Sequence, residues 1–270
     1  MNDDRDRPLP GLPPRALIGM VHLEALPGSP ESRRPVAEIR ERAAADARCL
    51  ADAGFDAVLV ENMHDRPYLR RRVGPETVAA MALAVASVRD AVDLPVGVQV
   101  LAGANLEALA ICVATGASFL RAEGFAYAAV ADEGLFDEAD AGVLLRRRRH
   151  LGAADVAILA DIRKKHSSHA ISADLDLAEH AAGAAFCGAD AVVVTGVATG
   201  APTAIEDLAA ARRGGPLPVV VGSGADAATV PGLLAEADAV IVGSAIKAEG
   251  DWRRPIDPER AKRFVAAARS

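Results

Sequence analysis

The stretch ILADIRKKHSSHA, residues 158–170, ends an apolar run at Asp161 and then gathers Arg163, Lys164, Lys165, His166 and His169. A carboxylate, an amine and an imidazole this close together supply the parts for proton transfer, and a desolvated Lys165 has the chemistry for a Schiff base. Asp161, Lys165 and His166 are therefore candidate catalytic residues, whereas Lys164 and His169 read as ordinary charges of a solvated loop. Glu61 follows four apolar residues in DAVLVEN (56–62) and suits a general base or a ligand for a substrate hydroxyl, with Asn62 beside it. His22 closes ALIGMVH (16–22) as either a catalytic base or a hydrogen-bonded histidine under the following Pro-Gly loop. Arg121 and Glu123 are two residues apart and share one face of a strand, where they orient a substrate or pair with each other as a buried ion pair. Gln99 and Thr195 end two more apolar runs and are candidate substrate contacts.

Two glycine-containing ends add a different chemistry. VVVGSGADAATV (219–230) presents Gly222, Ser223 and Gly224, and VIVGSAIK (240–247) presents Gly243, Ser244 and Lys247. Glycines let a backbone approach a ligand, and exposed N–H groups attract anions, so the pair predicts a phosphate site. No HxH or other tight ligand spacing occurs, so no metal or other cofactor is expected as a requirement. A divalent cation stays a minor option, because His, Glu and Asp meet at one mouth.

These residues need a common scaffold, and the sequence supplies a repeat. GFDAVLVEN from Gly54, GASFLRAEG from Gly116, GADAVVVTG from Gly188 and EADAVIVGS from Glu236 each close a helix and run into a β-branched strand. With 16–22, 94–100, 155–161 and 217–224 they make eight strands. Helical patterns at 37–53, 75–92, 106–116 and 176–188 separate them, and a last helix opens at Asp257 and Pro258. Alternation of this kind implies a parallel sheet, and eight units in one chain of 270 residues imply a single (β/α)8 TIM barrel over 16–270. The Pro-rich residues 1–15 read as a short disordered N-terminal extension. In such barrels the chemistry sits at the C-terminal strand ends, which is where every candidate above falls. RRRR (146–149) reads as a solvated helix face, and the acidic VADEGLFDEAD (130–140) as a lid or rim over the mouth.

Composition narrows the partners. A net charge of −7 argues against nucleic acid, whose phosphates require a basic surface. The longest apolar run, 78–88, is too short to be inserted in a membrane, and the N-terminus lacks a signal-peptide pattern. Cys49, Cys112 and Cys187 are too dispersed for a disulfide framework and read as buried thiols of a cytoplasmic protein. A homo-oligomer is expected, because barrels of this size commonly self-associate.

The segments LIGMVHLEALPGSP, DAVLVENMHDRPY, PVGVQVL, FLRAEGFAYAAVADEG, ILADIRKKHSSH, VVVTGVATGAP and VVVGSGADAATV resemble the BtpA family, the photosystem I biogenesis proteins, over about residues 16–268. The resemblance implies a (β/α)8 barrel with phosphate-type loops and carries Asp161, Lys165 and His166 over. The family's usual His-Val-Lys-His is Arg163-Lys164-Lys165-His166 here, and its Arg-Asn-Asp after the third strand is replaced by LAGAN (101–105). The leading expectation is an enzyme that works on a phosphorylated sugar-like or nucleotide-like molecule by isomerisation, lysis or glycosidic cleavage. The alternative is a non-catalytic assembly or stability factor for a membrane protein complex.

Overall fold

The computed structural model describes residues 7–164, 166–196 and 203–270. Its first half runs β1 (Ala16–His22), α1 (Val36–Ala53), β2 (Ala57–Glu61), α2 (Pro75–Ala91), β3 (Val96–Gln99), α3 (Asn105–Thr115) and β4 (Phe119–Ala122). A hairpin of β5 (Ala129–Ala131) and β6 (Gly134–Phe136) follows, then α4 (Ala141–His150), β7 (Ala157–Ile162), β8 (Ser167–Ser168) and α5 (Leu177–Phe186). The chain ends with β9 (Ala191–Val194), α6 (Ile205–Arg213), β10 (Val219–Val221), α7 (Val230–Glu236), β11 (Ala239–Val242) and α8 (Pro258–Ala268). Eight parallel strands close in the order β1-β11-β10-β9-β7-β4-β3-β2, with the helices outside. This is the expected (β/α)8 barrel.

Side chains alternate along each strand, so the barrel sorts its residues into two layers. Leu17, Val58, Val98, Leu120, Ile158 and Val240 face outward and pack beneath the helices. Ile18, Leu59, Phe119, Leu159, Val193 and Ile241 face inward and fill the barrel. The inner layer is tight. A Cβ on Gly97 would lie 2.1 Å from the Phe119 ring, so the glycine is the space that this ring occupies. Two residues beyond Met20, Leu59, Gly97, Phe119, Leu159, Val193, Val220 and Ile241 on the same inward face stand His22, Glu61, Gln99, Arg121, Asp161, Thr195, Gly222 and Gly243. The polar strand ends are the barrel's own next layer.

The helix ends follow the sequence signals. Gly54 and Gly116 close α1 and α3 in the left-handed conformation, and the Asp257 carboxylate accepts from the Glu259 and Arg260 amides at the start of α8. The arginine run on α4 is largely solvated, with Arg148 bound to Asp190 at 2.6 Å. No helix among the described residues is long and apolar enough to cross a membrane.

Two features differ from the sequence expectation. The described part of the N-terminal extension is not loose: Leu9 and Leu12 are buried against the inward layer at the bottom of the barrel. The Arg7 amide adds a 2.9 Å bond to the Asp238 carboxylate. An open barrel bottom would expose Ala16, Ala57 and Ala239, and two leucines cover it. Second, the acidic stretch is not a plain loop, because β5 pairs with β6 and with β8 in a small antiparallel sheet. Phe136 seats this lid on Leu101 and Ala102.

Two substitutions test this packing. Leu9→Ala should cost about 2–5 kcal/mol, and Gly97→Ala should cost about 1–3 kcal/mol through overpacking. Urea midpoints at an unchanged m-value are the measurement.

Candidate active site at the barrel mouth

Above the inward layer lies a cavity of about 600 Å³. His22, Glu61, Gln99, Arg121 and Glu123 line it from the strands, Gly222, Ser223, Gly224, Gly243 and Ser244 from the two glycine ends, and His166 from the lid side. The structure thus brings most of the expected residues to one space. Asn62, Asp161 and Thr195 are buried behind its wall. Asn62 bridges loops, donating to Asp65 at 2.9 Å and accepting the Leu101 amide at 2.8 Å. Thr195 packs its methyl group beside Gly222. Lys165 lies outside the described residues.

Arg121 and Glu123 share the inward face as expected, but they do not pair with each other. Arg121 grips Asp161 with Nε and Nη2, each at 2.9 Å, and its Nη1 donates to the Gly222 carbonyl at 3.3 Å. Burial alone would lower the guanidinium pKa, but Asp161, with Glu61 and Glu123, outweighs it, and the group stays above its ordinary value. Both Asp161 oxygens accept from Arg121, so this residue holds the guanidinium in place. Glycine is required at 222, because a Cβ there would lie 2.5 Å from Val193 Cγ1 and 3.1 Å from Arg121 Nη2.

Glu123 pairs instead with Lys164, whose Nζ lies 3.2 Å from Glu123 Oε2 and 3.1 Å from Glu133 Oε2 of the lid hairpin. The same ammonium lies 5.3 Å from the Phe136 ring centre. Burial pushes the Glu123 carboxyl up against the opposing pull of Lys164. Lys164 is itself desolvated, yet the two carboxylates hold its pKa above the ordinary value, so it is an ammonium rather than an amine nucleophile. Lys164 is a cavity-lining residue that strand alternation hides. Ile162 faces the outer core, and the left-handed turn at Arg163 (φ 51°) redirects the chain so that Lys164 enters the cavity.

His22 and Glu61 form a second pair. The His22 Nδ1 lies 3.3 Å from the Trp252 carbonyl, which only accepts, so that contact places the proton on Nδ1. Nε2 then faces Glu61 Oε2 at 3.7 Å, with both side chains nearly buried. Gly243 makes room for the ring, since a Cβ there would sit 3.2 Å from Cε1 and Nε2. An imidazole and a carboxylate set side by side in a buried wall are the parts an acid–base catalyst uses.

Cations gather on the β11 side. Arg66, Arg253 and Arg260 line the cavity, and the Arg66 and Arg253 guanidinia lie 4.8 and 5.0 Å from the Trp252 ring centre. Arg66 and Arg253 sit on long loops without a motif and Arg260 in the first turn of α8, and the sequence reading missed all three. Lys247, by contrast, turns away from the mouth towards Asp46 on α1, at 3.5 Å. Three polar atoms of cavity-lining residues, Arg66 Nε, Gln99 Oε1 and Ser223 Oγ, are buried with no hydrogen-bond partner. Among the described residues no group of three or more His, Cys, Asp or Glu is placed to hold a metal.

The chain matches the BtpA family over residues 14–270. It is 41% identical to an uncharacterised mitochondrial protein of Caenorhabditis elegans, over 92% of this chain and 91% of that one. It is 38% identical to the photosystem I biogenesis protein BtpA of Synechocystis, over 93% and 87%. Among solved structures it superposes on N-(5′-phosphoribosyl)anthranilate isomerase of Pyrococcus furiosus with a TM-score of 0.57, covering 94% of this chain and 98% of that one at 14% identity.

Two predictions follow from the ion pairs. Arg121→Met alone leaves Asp161 buried and unpaired and should cost about 3–5 kcal/mol, whereas Arg121→Met with Asp161→Leu should recover most of that loss; a double-mutant cycle in urea measures it. Lys164→Met should raise the Glu123 pKa further. A carboxyl whose folded pKa lies above its unfolded value contributes stability below the unfolded pKa and loses it as pH rises through the folded one. The deficit of Lys164→Met should therefore be small near about pH 5 and grow towards about pH 8, read from urea midpoints at both.

Proposed function

Because the chain belongs to the BtpA family, with a barrel closed around a polar mouth, we propose that it is an enzyme acting on a phosphorylated sugar-like or nucleotide-like molecule. His22 and Glu61 transfer the proton. The anionic end of the substrate rests on Gly222, Ser223, Gly224, Gly243 and Ser244, near Arg66, Arg253 and Arg260. Arg121, fixed by Asp161, sets the field across the mouth, and Glu123 with Lys164 borders the opposite side. His166 stands at the lid edge, its Nδ1 4.0 Å from Asp132. The carrying observation is the His22 imidazole, held by the Trp252 carbonyl and aimed at Glu61 inside a cavity of about 600 Å³. The barrel shared with an isomerase named for a phosphoribosyl substrate agrees with this reading. The reactions that such a dyad serves are isomerisation, lysis and glycosidic cleavage. The reading carries a cytoplasmic setting, which suits three free thiols.

The name of the Synechocystis relative favours a second reading, an assembly factor for a membrane protein complex. That role needs no open mouth, and the cavity here is not filled by side chains.

A thermal-shift screen of the purified protein against sugar phosphates and nucleotides separates the two. A ligand at about a hundred times its Kd should add about 2.7 kcal/mol, a rise of several degrees in Tm. Ser223→Ala should weaken the response, and Glu61→Gln should keep binding while lowering turnover by about 10²–10⁴-fold. A flat response across the panel, with Glu61→Gln retaining biological activity, would transfer the assignment to the assembly role.

A further inference from the structure

The deep end of the cavity shows what the non-anionic part of a substrate must present. His22, Glu61 and Gln99 stand at one level on three consecutive strands, since His22 pairs in register with Glu61 and Glu61 with Gln99. Adjacent strands are about 4.8 Å apart, so the three heads form one short arc. Arg121 continues it on β4, and Glu123 stands one residue past the end of that strand. Gln99 is 2% exposed, lines the cavity, and has its Oε1 buried without a partner. A buried carboxamide left unsatisfied costs about 1–3 kcal/mol, and a ligand group that answers it recovers that cost. The Gln99 oxygen is an acceptor that calls for a donor. A hydroxyl fits either orientation of the carboxamide, because it both donates and accepts.

Position fixes the rest. In the closed order, β10 is four strands from β3 in both directions, so the Gly222–Gly224 end faces Gln99 across the mouth. Ser223 Oγ, buried and also without a partner, sits at that far side. A molecule that satisfies both has an anion at one end and hydroxyls at the other. Glu61 and Gln99 are neighbours, so the hydroxyls they answer are neighbours as well.

We propose that the site takes a sugar phosphate through a vicinal diol, with one hydroxyl at the His22–Glu61 dyad and the adjacent hydroxyl bound by the Gln99 carboxamide. Gln99 is then the residue that distinguishes ribosyl from deoxyribosyl substrates. This rests on the phosphate reading above.

Calorimetric titration of the full chain with inorganic phosphate, ribose 5-phosphate and 2-deoxyribose 5-phosphate tests it, on the wild type and on Gln99→Met. The wild type should bind ribose 5-phosphate on the order of tenfold more tightly than the deoxy sugar. Gln99→Met should remove that preference while leaving phosphate affinity unchanged. The unliganded Tm of this variant should hold or rise, since an unsatisfied amide is replaced by an apolar chain of similar volume. A Tm loss of many degrees would mark Gln99 as a structural residue and overturn the proposal. Phosphate binding with equal affinity for the two sugars, or a preference that survives Gln99→Met, also overturns it and leaves the phosphate site standing. No binding of any of the three overturns the phosphate reading and this inference together.

Discussion

Closing eight strands into a barrel forces every second residue into a space that narrows to a single layer of side chains, and that constraint organises the whole molecule. In the lower layers the space is filled by alanines, a few branched residues and Phe119, which uses the gap at Gly97. One step higher the same parity delivers His22, Glu61, Gln99, Arg121 and Asp161, so the functional groups inherit their positions from the packing below. Leu9 and Leu12 close the other end, which leaves the C-terminal mouth as the way in.

Charges in so confined a layer must be paired, and the pairing decides what each can do. Asp161 spends both oxygens on Arg121, and the third nitrogen of Arg121 ties β4 to the Gly222 carbonyl on the far side. That leaves Arg121 as a fixed positive centre rather than a mobile substrate clamp. The Glu123–Lys164–Glu133 cluster is also committed. His22 and Glu61 stand 3.7 Å apart, nearly buried, at the wall of the cavity.

Much of this was legible from residue types alone. Continuous apolar runs ending in a polar residue mark strands buried on both faces, and each run's last inward residue is a cavity or wall residue here. The alternation rule failed where the backbone leaves the strand. The left-handed Arg163 moves Lys164 into the cavity, and Asn62, one step past Glu61, turns to hold Asp65 and the Leu101 amide. Trp252, Arg253 and Arg66 carry no local pattern, since they meet only through the folding of two loops. Leu9 and Leu12 stand among prolines without periodicity, and their burial is a property of the barrel bottom they cover. The lid strands are three residues or fewer, too short for a period to register.

The lid anchor has one more consequence. Glu133 reaches into the cavity to share the Lys164 ammonium with Glu123, so the closed lid places two carboxylates on one cation. A ligand group that took Lys164 for itself would compete with the lid, and linkage makes that competition reciprocal: whatever weakens lid closure is itself bound more weakly by the closed state. A second anion at this end is therefore excluded twice, by repulsion and by the opening it would force. A neutral group leaves the anchor intact. Under the proposed reading, the mouth would then sort molecules by charge number, with one anion at the glycine ends and a neutral group beside the lid anchor.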